Sequence, residues 1–182
     1  MKNCIFCRII AGEIPGLKVY EDELVLAFMD IAPINFGHVL VIPKEHHTSV
    51  ATIPENIAGR MFLVGSRIGV AMRRGLDADG FNFHLSDGTV AGQVVMHAHL
   101  HVVPRWTDDG FHWNWRQLSY ESEEKRQEIY ESIKNKFQLQ LTEGKGTEAD
   151  IYESIKNKFQ LQRDAAELAL NEEDTEGGER HD

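Results

Sequence analysis

The sequence predicts an α+β domain with an antiparallel sheet of about five strands and helices packed against it. Short apolar or alternating segments separated by Gly, Asp and Pro are typical of strands joined by turns. One long segment carries apolar residues at helical spacing, and one strand-like segment carries three histidines at alternate positions. With 182 residues, 42% of them hydrophobic, the chain is large enough for one domain with a hydrophobic core.

Four strands are predicted before the histidine segment. Residues 18–20 and 24–30 predict an antiparallel pair joined by an acidic turn. The apolar segment 39–42 predicts a third strand, and residues 80–86 predict a fourth. A turn at residues 87–93 leads from the fourth strand into the histidine segment, and its glycines would let backbone N–H groups converge on an anion, although an ordinary hairpin loop would need them too.

Residues 54–75 predict the long helix of the domain. Pro54 suits a first helical turn, and Gly75 suits the position that ends a helix. The residues expected to face the core share i, i+3/i+4 spacing: Ile57, Met61, Val64, Ile68 and Met72. This helix is predicted to be structural.

The histidine segment, residues 93–104, predicts one β-strand that ends at Pro104 because proline has no N–H for the ladder. His97, His99 and His101 should share one face, about 6.6 Å apart, with apolar residues on the other face. Three imidazoles on one face are difficult to explain by packing, since each carries polar nitrogens that need partners. Imidazole serves as a nucleophile, an acid/base group or a metal ligand, so this strand predicts a functional site.

Cys4 and Cys7 form a Cys-x-x-Cys motif with three interpretations. Free cysteines are commonly buried as small apolar residues, and a thioredoxin-like redox pair would need a preceding strand. Two thiolates at this spacing also suit half of a tetrahedral zinc site. Such a site needs two further ligands, for which His46 and His47 are available.

Composition narrows the class of protein. No segment of about 18 apolar residues predicts a transmembrane helix, and residues near the N-terminus do not resemble a secretory signal. Two closely spaced cysteines do not predict a disulfide framework, so we expect a cytoplasmic protein without a membrane partner. Of 29 acidic and 19 basic residues, 12 acidic and 5 basic ones lie in residues 143–182. The acidity is therefore concentrated there, and with no basic stripe in the sequence we expect no nucleic-acid partner.

The motifs resemble those of the histidine triad (HIT) family. Residues 97–103 read His-Ala-His-Leu-His-Val-Val, as in the family motif, and both Gly92-Gln93 and residues 37–43 match family segments. The resemblance covers about residues 4 to 137. It implies a HIT-like fold, a homodimer and an enzyme that acts on nucleotides.

The resemblance also implies a mechanism. His99 would attack the α-phosphorus of a nucleoside 5′-phosphoramidate or related substrate, and water would then release a purine mononucleotide. His101 and His38 would assist, and no catalytic metal would be required. A dinucleoside polyphosphate hydrolase is an alternative activity. A nucleotide-binding regulatory module and a scaffold that binds zinc through the three histidines are alternatives of other classes.

Nucleotide-binding residues follow from the same resemblance. Asp30 falls at the family position that binds the ribose, although Asp also suits a turn there. The remaining expected nucleotide-binding residues are Phe6, Ile9, Phe28, Ile31, Ser86, Gly92 and Gln93. Two residues depart from the family: Ser86 stands where most members have Asn or Gln, and Val94 stands where many have Ser or Thr. The leaving group that the enzyme would prefer is therefore open.

Structural zinc is likewise implied by some bacterial members. By position, its ligands would be Cys4, Cys7, His46 and His97, with His47 as the adjacent substitute. A His97 that ligates zinc could not titrate, so proton transfer would fall to His101 and His38.

The C-terminal part contains an exact repeat, because residues 129–140 recur as residues 151–162. The first copy falls where HIT domains place a C-terminal helix, so we expect a HIT domain at residues 1–142. Residues 143–182 would form an acidic extension that contains the duplicated helix and a disordered end. Aromatic residues at 106 and 111–115 suit either a dimer interface or the core.

Overall fold

The computed structural model describes residues 4–112 and 117–142, with side chains up to residue 138. The chain divides into two compact units, Met1–Leu118 and Ser119–Asp182. The predicted duplicate at residues 151–162, the extension beyond residue 142 and most of the 111–115 aromatic group lie outside the described residues. No helix within the described ranges is long and apolar enough to cross a membrane.

The first unit is a five-stranded antiparallel sheet with helices, which confirms the predicted fold class. In chain order its strands and helices are α1 (Ile5–Ile10), β1 (Lys18–Glu21), β2 (Val25–Met29), β3 (Val39–Pro43), α2 (Glu55–Gly75), β4 (Gly80–His84) and β5 (Leu100–Arg105). Two short 3₁₀ turns lie at Val50–Thr52 and Thr89–Ala91. The order across the sheet is β1-β2-β3-β5-β4, so the strand that carries the last triad histidine is an inner strand.

Each face of the sheet has its own apolar cluster. The predicted stripe of α2 is buried against one face, as in the contacts of Met61 and Ile68 with the cluster that contains Leu100 and Val102. On the other face, Phe6 and Ile9 of α1 join a smaller cluster with strand residues Leu26, Phe28, Leu40 and Ile42. Sequence analysis did not predict α1, because six residues are too short for a helical period to be recognised.

The predicted histidine strand is wrong at both ends. Pairing begins at Leu100, because residues 93–99 bond to other partners; the Ala98 N–H, for example, donates to the His47 carbonyl at 2.6 Å. At the other end, β5 continues through Pro104 to Arg105. The backbone polar groups of Pro104 face the side of β5 on which β3 has already ended, and its carbonyl accepts there from Asn35 at 3.4 Å. The N–H that proline lacks is therefore not needed for the pairing with β4 on the other side.

Strand register aligns one row of side chains across four strands. Phe28 pairs with Leu40, Leu40 with His101, and His101 with His84. Residues paired directly across antiparallel strands share a face. The row therefore runs from the α1 cluster on β2 to a histidine on the edge strand β4, along the face that α2 does not cover.

In the second unit, the described residues form α3 (Glu123–Thr142). Ser122 caps its first turn by accepting from the Lys125 N–H at 3.1 Å. The first repeat copy, residues 129–140, lies within this helix, as expected. The domain boundary after residue 142 stays a prediction.

The contact between α2 and β4 generates a stability prediction. A Cβ added at Gly69 would lie 2.5 Å from the Phe81 ring, whereas one added at Gly59 of the same helix would meet nothing within 4 Å. Gly69→Ala should therefore lower the free energy of unfolding by about 1–3 kcal/mol through overpacking. Gly59→Ala, the matched control, should raise it by about 0.5–1 kcal/mol through helix propensity. Urea denaturation measures both, and equal effects would contradict the packing of Phe81 on Gly69.

Candidate active site and metal cluster

His99 is held in one tautomer by the backbone. Its Nδ1 lies 2.7 Å from the His97 carbonyl oxygen, which can only accept, so Nδ1 carries the ring proton. Nε2 therefore keeps its lone pair. The ring is 6% exposed, and burial lowers the pKa of His99 below its usual value. An imidazole that is neutral and fixed in this way is suited to nucleophilic attack.

His38 and His101 form a second imidazole pair beside His99. The Ile34 N–H donates to His38 Nδ1 at 3.3 Å, so His38 Nε2 carries the proton and donates to His101 Nδ1 at 2.9 Å. This leaves a proton on His101 Nε2. Burial, with the nearby His99 and His38, lowers the pKa of His101 to about 4, and the ring centroids of His99 and His101 are 4.8 Å apart.

Gly37 allows the chain to deliver His38 into this position. Its φ is +95°, and an added Cβ would lie 2.6 Å from the Leu76 side chain. A residue with a side chain would be strained there. Asp30 lies next to the His38 ring, with its Oδ2 3.4 Å from His38 Nδ1. The other carboxylate oxygen of Asp30, Oδ1, accepts from the Ala32 N–H at 2.9 Å.

A further histidine, His84, lies at the site and was missed by sequence analysis. It pairs with His101 across β4 and β5, and the two ring centroids are 5.5 Å apart. Its Nε2 lies 2.9 Å from Ser86 Oγ. Alternation along residues 80–84 could have placed His84 on one face, but only the register of β4 with β5 shows that this is the face of the triad.

The turn between β4 and β5 is built on two glycines with positive φ. Gly88 has φ +89° and Gly92 has φ +90°. Gln93 holds this turn, because its Oε1 accepts from the Gly88 N–H at 2.7 Å and its Nε2 donates to the Thr48 carbonyl at 2.8 Å. The Gln93 side chain is thus buried, and its amide is hydrogen-bonded to backbone groups. Val94, next in the chain, is 90% exposed.

The expected nucleobase residues separate into two sets. Phe6, Ile9 and Phe28 are buried together, and the Phe6 ring lies edge-on to His99 with centroids 5.3 Å apart. Ile31 is 97% exposed and is not brought into that cluster. The nucleoside role of all four residues stays a prediction.

The four predicted zinc ligands converge into one group, the Cys/His cluster, formed by Cys4, Cys7, His46 and His97. Their donor atoms all lie within 4.8 Å of one another. His46 Nδ1 is 3.2 Å from Cys7 Sγ and 3.3 Å from His97 Nδ1. Burial and the neighbouring Cys4 thiol raise the pKa of Cys7 to about 11 in the absence of metal. Two thiols and two imidazoles are the donor set of many structural zinc sites, so these residues fit the ion.

The hydrogen bonds of His97 also fit a metal ligand. Its Nε2 donates to the Pro43 carbonyl at 2.9 Å, so the lone pair is on Nδ1, which faces the Cys/His cluster. Metal-bound histidines commonly donate their second nitrogen in this way. His47, the adjacent substitute in the sequence analysis, points elsewhere, with its Nε2 3.6 Å from a Glu45 carboxylate oxygen.

Comparison with known proteins finds the same family throughout. Residues 11–108 match the family model described as HIT domain. A HIT family protein from Bacillus anthracis, known from a crystal structure, is 43% identical, with a TM-score of 0.68 over 74% of this chain and 96% of that chain. A Zn-bound histidine triad family protein from Mycobacterium smegmatis is 42% identical, with a TM-score of 0.59 over 69% of this chain and 89% of that chain. The Arabidopsis thaliana protein named adenylylsulfatase HINT3 is 39% identical over 103 residues, 57% of this chain and 52% of that protein.

The matched segment 11–108 includes all five strands, α2 and the three triad histidines. Cys4 and Cys7 precede that segment. Family match, fold and histidine motif therefore agree, and this chain belongs to the HIT family.

Proposed function

We propose that this protein hydrolyses nucleoside 5′-phosphoramidates or related 5′-phosphoryl substrates through a nucleotidyl-histidine intermediate. The observation that carries the proposal is the 2.7 Å hydrogen bond between His99 Nδ1 and the His97 carbonyl. It leaves the Nε2 lone pair of a neutral imidazole free for attack without a separate base. Membership of the HIT family and similarity to a protein named as an adenylylsulfatase support nucleotide hydrolysis in general.

In the first step, His99 Nε2 attacks the α-phosphorus, an N–P bond forms, and the bond to the substituent breaks with its electron pair. The ring becomes positively charged, and the His97 carbonyl stabilises the Nδ1 proton throughout. An amine leaving group also needs a proton. The His38–His101 pair, joined by a 2.9 Å hydrogen bond, would supply it after taking up one proton with the anionic substrate: His101 Nε2 gives that proton to the departing nitrogen, and the pair returns to a neutral state.

In the second step, water attacks phosphorus and gives a proton to the neutral His38–His101 pair, the N–P bond breaks with its electron pair returning to His99 Nε2, and a mononucleotide leaves. Division of one displacement into two easier ones is the benefit of a covalent intermediate. The glycine turn bounds the site on this side, but the N–H groups of four of its residues already donate within the turn: Gly88, Ala91, Gly92 and Gln93. Ser86 lies next to His84, and the Gln93 side chain fixes the shape of the turn that contains Gly92.

The nucleoside would lie towards α1. The buried Phe6 lies edge-on to His99 and packs on Phe28 and Ile9, so this cluster would form the wall next to the base, and the exposed Ile31 would lie on its other side. The two carboxylate oxygens of Asp30 suit a pair of ribose hydroxyls. A purine base, a homodimeric assembly and a cytoplasmic location are proposed with this function and rest on the family resemblance.

Zinc in the Cys/His cluster would have a structural role. Cys4, Cys7, His46 and His97 would hold the ion, which when bound supplies a fixed link between α1 and the triad segment. The chemistry proposed above uses other atoms: His99 Nε2 and His101 Nε2. His97 contributes to it only through its backbone carbonyl.

The covalent mechanism predicts complete loss of turnover in His99→Ala. Release of AMP from adenosine 5′-phosphoramidate should fall by at least about 10³-fold, since no other imidazole has a free lone pair in this position. Wild-type turnover should survive a chelator, and both proteins should bind AMP in calorimetry. Turnover that persists in His99→Ala would contradict the mechanism. A wild type that binds AMP without turnover would indicate the regulatory module instead.

The ribose assignment predicts that Asp30→Asn and removal of the ribose hydroxyls affect the same interaction. Asp30→Asn should raise KM for the ribonucleotide by about tenfold, as expected when a charge-assisted hydrogen bond is lost. For the 2′,3′-dideoxynucleotide, wild type and Asp30→Asn should have the same KM. Steady-state kinetics of the four combinations form a double-mutant cycle, and additive losses would refute the assignment.

The metal assignment predicts different effects for two adjacent histidines. Purified His46→Ala should lose zinc, because the His46 Nδ1 that it lacks lies in the Cys/His cluster. Its free energy of unfolding should fall by a few kcal/mol, about the stabilisation that a ligand gives when it is present at roughly 100 times its Kd. His47→Ala, the matched control, should keep one zinc per chain. Elemental analysis and thermal unfolding test this, and zinc retained by His46→Ala or lost by His47→Ala would overturn the ligand set.

A further inference from the structure

We propose that Asn35 and Asp109 are positioning residues, which hold the loop that carries His38 against the end of the strand that carries His101. Their contact, the Asn35–Asp109 clamp, is the hydrogen bond that Asn35 Nδ2 donates to Asp109 Oδ2 at 3.0 Å. This inference rests on the proposed function and deepens it, because the clamp would fix the histidine pair that transfers the proton. Neither residue needs to touch the substrate.

The His38 ring depends on the two loop residues that precede it by three and four positions. The His38 N–H donates to the Asn35 carbonyl at 3.0 Å, and the Ile34 N–H donates to His38 Nδ1 at 3.3 Å. The second of these bonds sets the tautomer in which His38 Nε2 donates to His101. A shift of residues 34–35 would therefore alter both the direction and the tautomer of the His38 ring.

Asn35 is the half-buried residue of an otherwise exposed loop. Residues 31–34 and 36 are exposed. The Asn35 side chain reaches a residue 74 positions later, Asp109, and its Nδ2 also lies 3.4 Å from the Pro104 carbonyl oxygen. Because exposed loop backbone is readily displaced, these two contacts with the segment at the end of β5 would determine where the loop lies.

Asp109 is fixed independently of Asn35. Its Oδ1 accepts from the Phe111 N–H at 2.9 Å, and its Oδ2 lies 3.3 Å from the Trp106 backbone nitrogen and 3.4 Å from Arg105 Nη1. The Asp109 side chain is only 11% exposed. A carboxylate that is already ordered loses little further freedom when it accepts one more bond, and a charged acceptor binds the amide more strongly than a neutral one.

The clamp and the histidine pair join the same two parts of the chain. His101 lies on β5 and Asp109 in the turn after it, while Asn35 and His38 lie in the loop before β3. The hydrogen bonds are 2.9 Å between the imidazoles and 3.0 Å at the clamp, so they hold one loop to one strand at two points. Pairing of β3 with β5 begins at Val39, so the clamp acts on the part of the loop that this pairing does not reach.

Kinetics of the proposed reaction test the clamp. In Asn35→Ala, kcat for AMP release from adenosine 5′-phosphoramidate should fall about tenfold, because a small displacement of a catalytic group has effects of this order or larger. KM should stay within about twofold, since the proposed nucleoside contacts lie elsewhere. The reversed pair Asn35→Asp/Asp109→Asn should recover part of the kcat that each single substitution loses, because the amide and the carboxylate exchange places.

Asp79→Ala is the matched control. Asp79 Oδ2 accepts from the Thr107 N–H at 2.7 Å and from Thr107 Oγ1 at 2.8 Å. It therefore fastens the turn after β5 to the segment before β4 rather than to the loop before β3. Asp79→Ala should lower the free energy of unfolding and leave kcat unchanged. An equal loss of kcat in Asp79→Ala and Asn35→Ala would mean that general loosening of the turn is responsible, which overturns the proposal.

Imidazole proton exchange, measured by NMR, reports on the clamp without turnover. The His38 Nε2 proton should be protected in wild type by its hydrogen bond to His101, and in Asn35→Ala its exchange with water should be at least about tenfold faster. The His99 Nδ1 proton, which is bonded to the His97 carbonyl, should exchange at the same rate in both proteins. Signals are assigned from His38→Gln and His99→Gln.

The outcomes separate the clamp from the proposed function. Unchanged exchange of the His38 proton in Asn35→Ala would overturn the clamp, because the pairing of β3 with β5 would then suffice to hold the ring. A reversed pair with a kcat no higher than that of the single variants would overturn it too. A wild type without turnover refutes the proposed function, and the exchange rates then still decide whether Asn35 and Asp109 position His38.

Discussion

The hydrogen bond from His99 Nδ1 to the His97 carbonyl is the constraint on which the rest of the site depends. One peptide group links the candidate nucleophile to a residue whose own side chain is fixed at both nitrogens, by the Pro43 carbonyl on one side and the Cys/His cluster on the other. Motion of His97 would therefore change the tautomer and direction of His99. In the proposed mechanism the Cys/His cluster would therefore position the nucleophile although none of its donor atoms touches a substrate.

The fold keeps structural and chemical demands on opposite faces of one sheet. Apolar residues that alternate with the histidines, such as Ala98, Leu100 and Val102, pack with α2. On the other face, within the described part of the first unit, the apolar cluster joins α1 to β2 and β3, and the row continues past it to His101 and the exposed His84 on β4.

Sequence reasoning was most reliable where a single period or spacing carried the signal. The α2 stripe and the five strands follow from periods of 3.6 and 2 residues, and the histidine motif identified the family. The prediction from sequence failed where pairing with a distant strand determines the structure. Residues 93–99 have a strand pattern but no strand partner, and Pro104 continues a strand because β3 has ended beside it. His84 was missed for the same reason, since the register between β4 and β5 cannot be read from either strand alone.

The position of His97 resolves the tension between metal binding and proton transfer. A histidine bound to zinc cannot accept or donate a proton, and its Nδ1 faces the Cys/His cluster, away from any role in acid/base chemistry. In the proposed mechanism the proton-donating pair is instead His101 with His38, which lies 63 residues earlier in the chain. The motif would then divide into three functions along five residues: His97 fixes the backbone, His99 supplies the lone pair, and His101 connects to His38. The three side chains reach different neighbours, His97 the Cys/His cluster and His101 the ring of His38, so in the proposed mechanism no single imidazole has to combine metal binding with proton transfer.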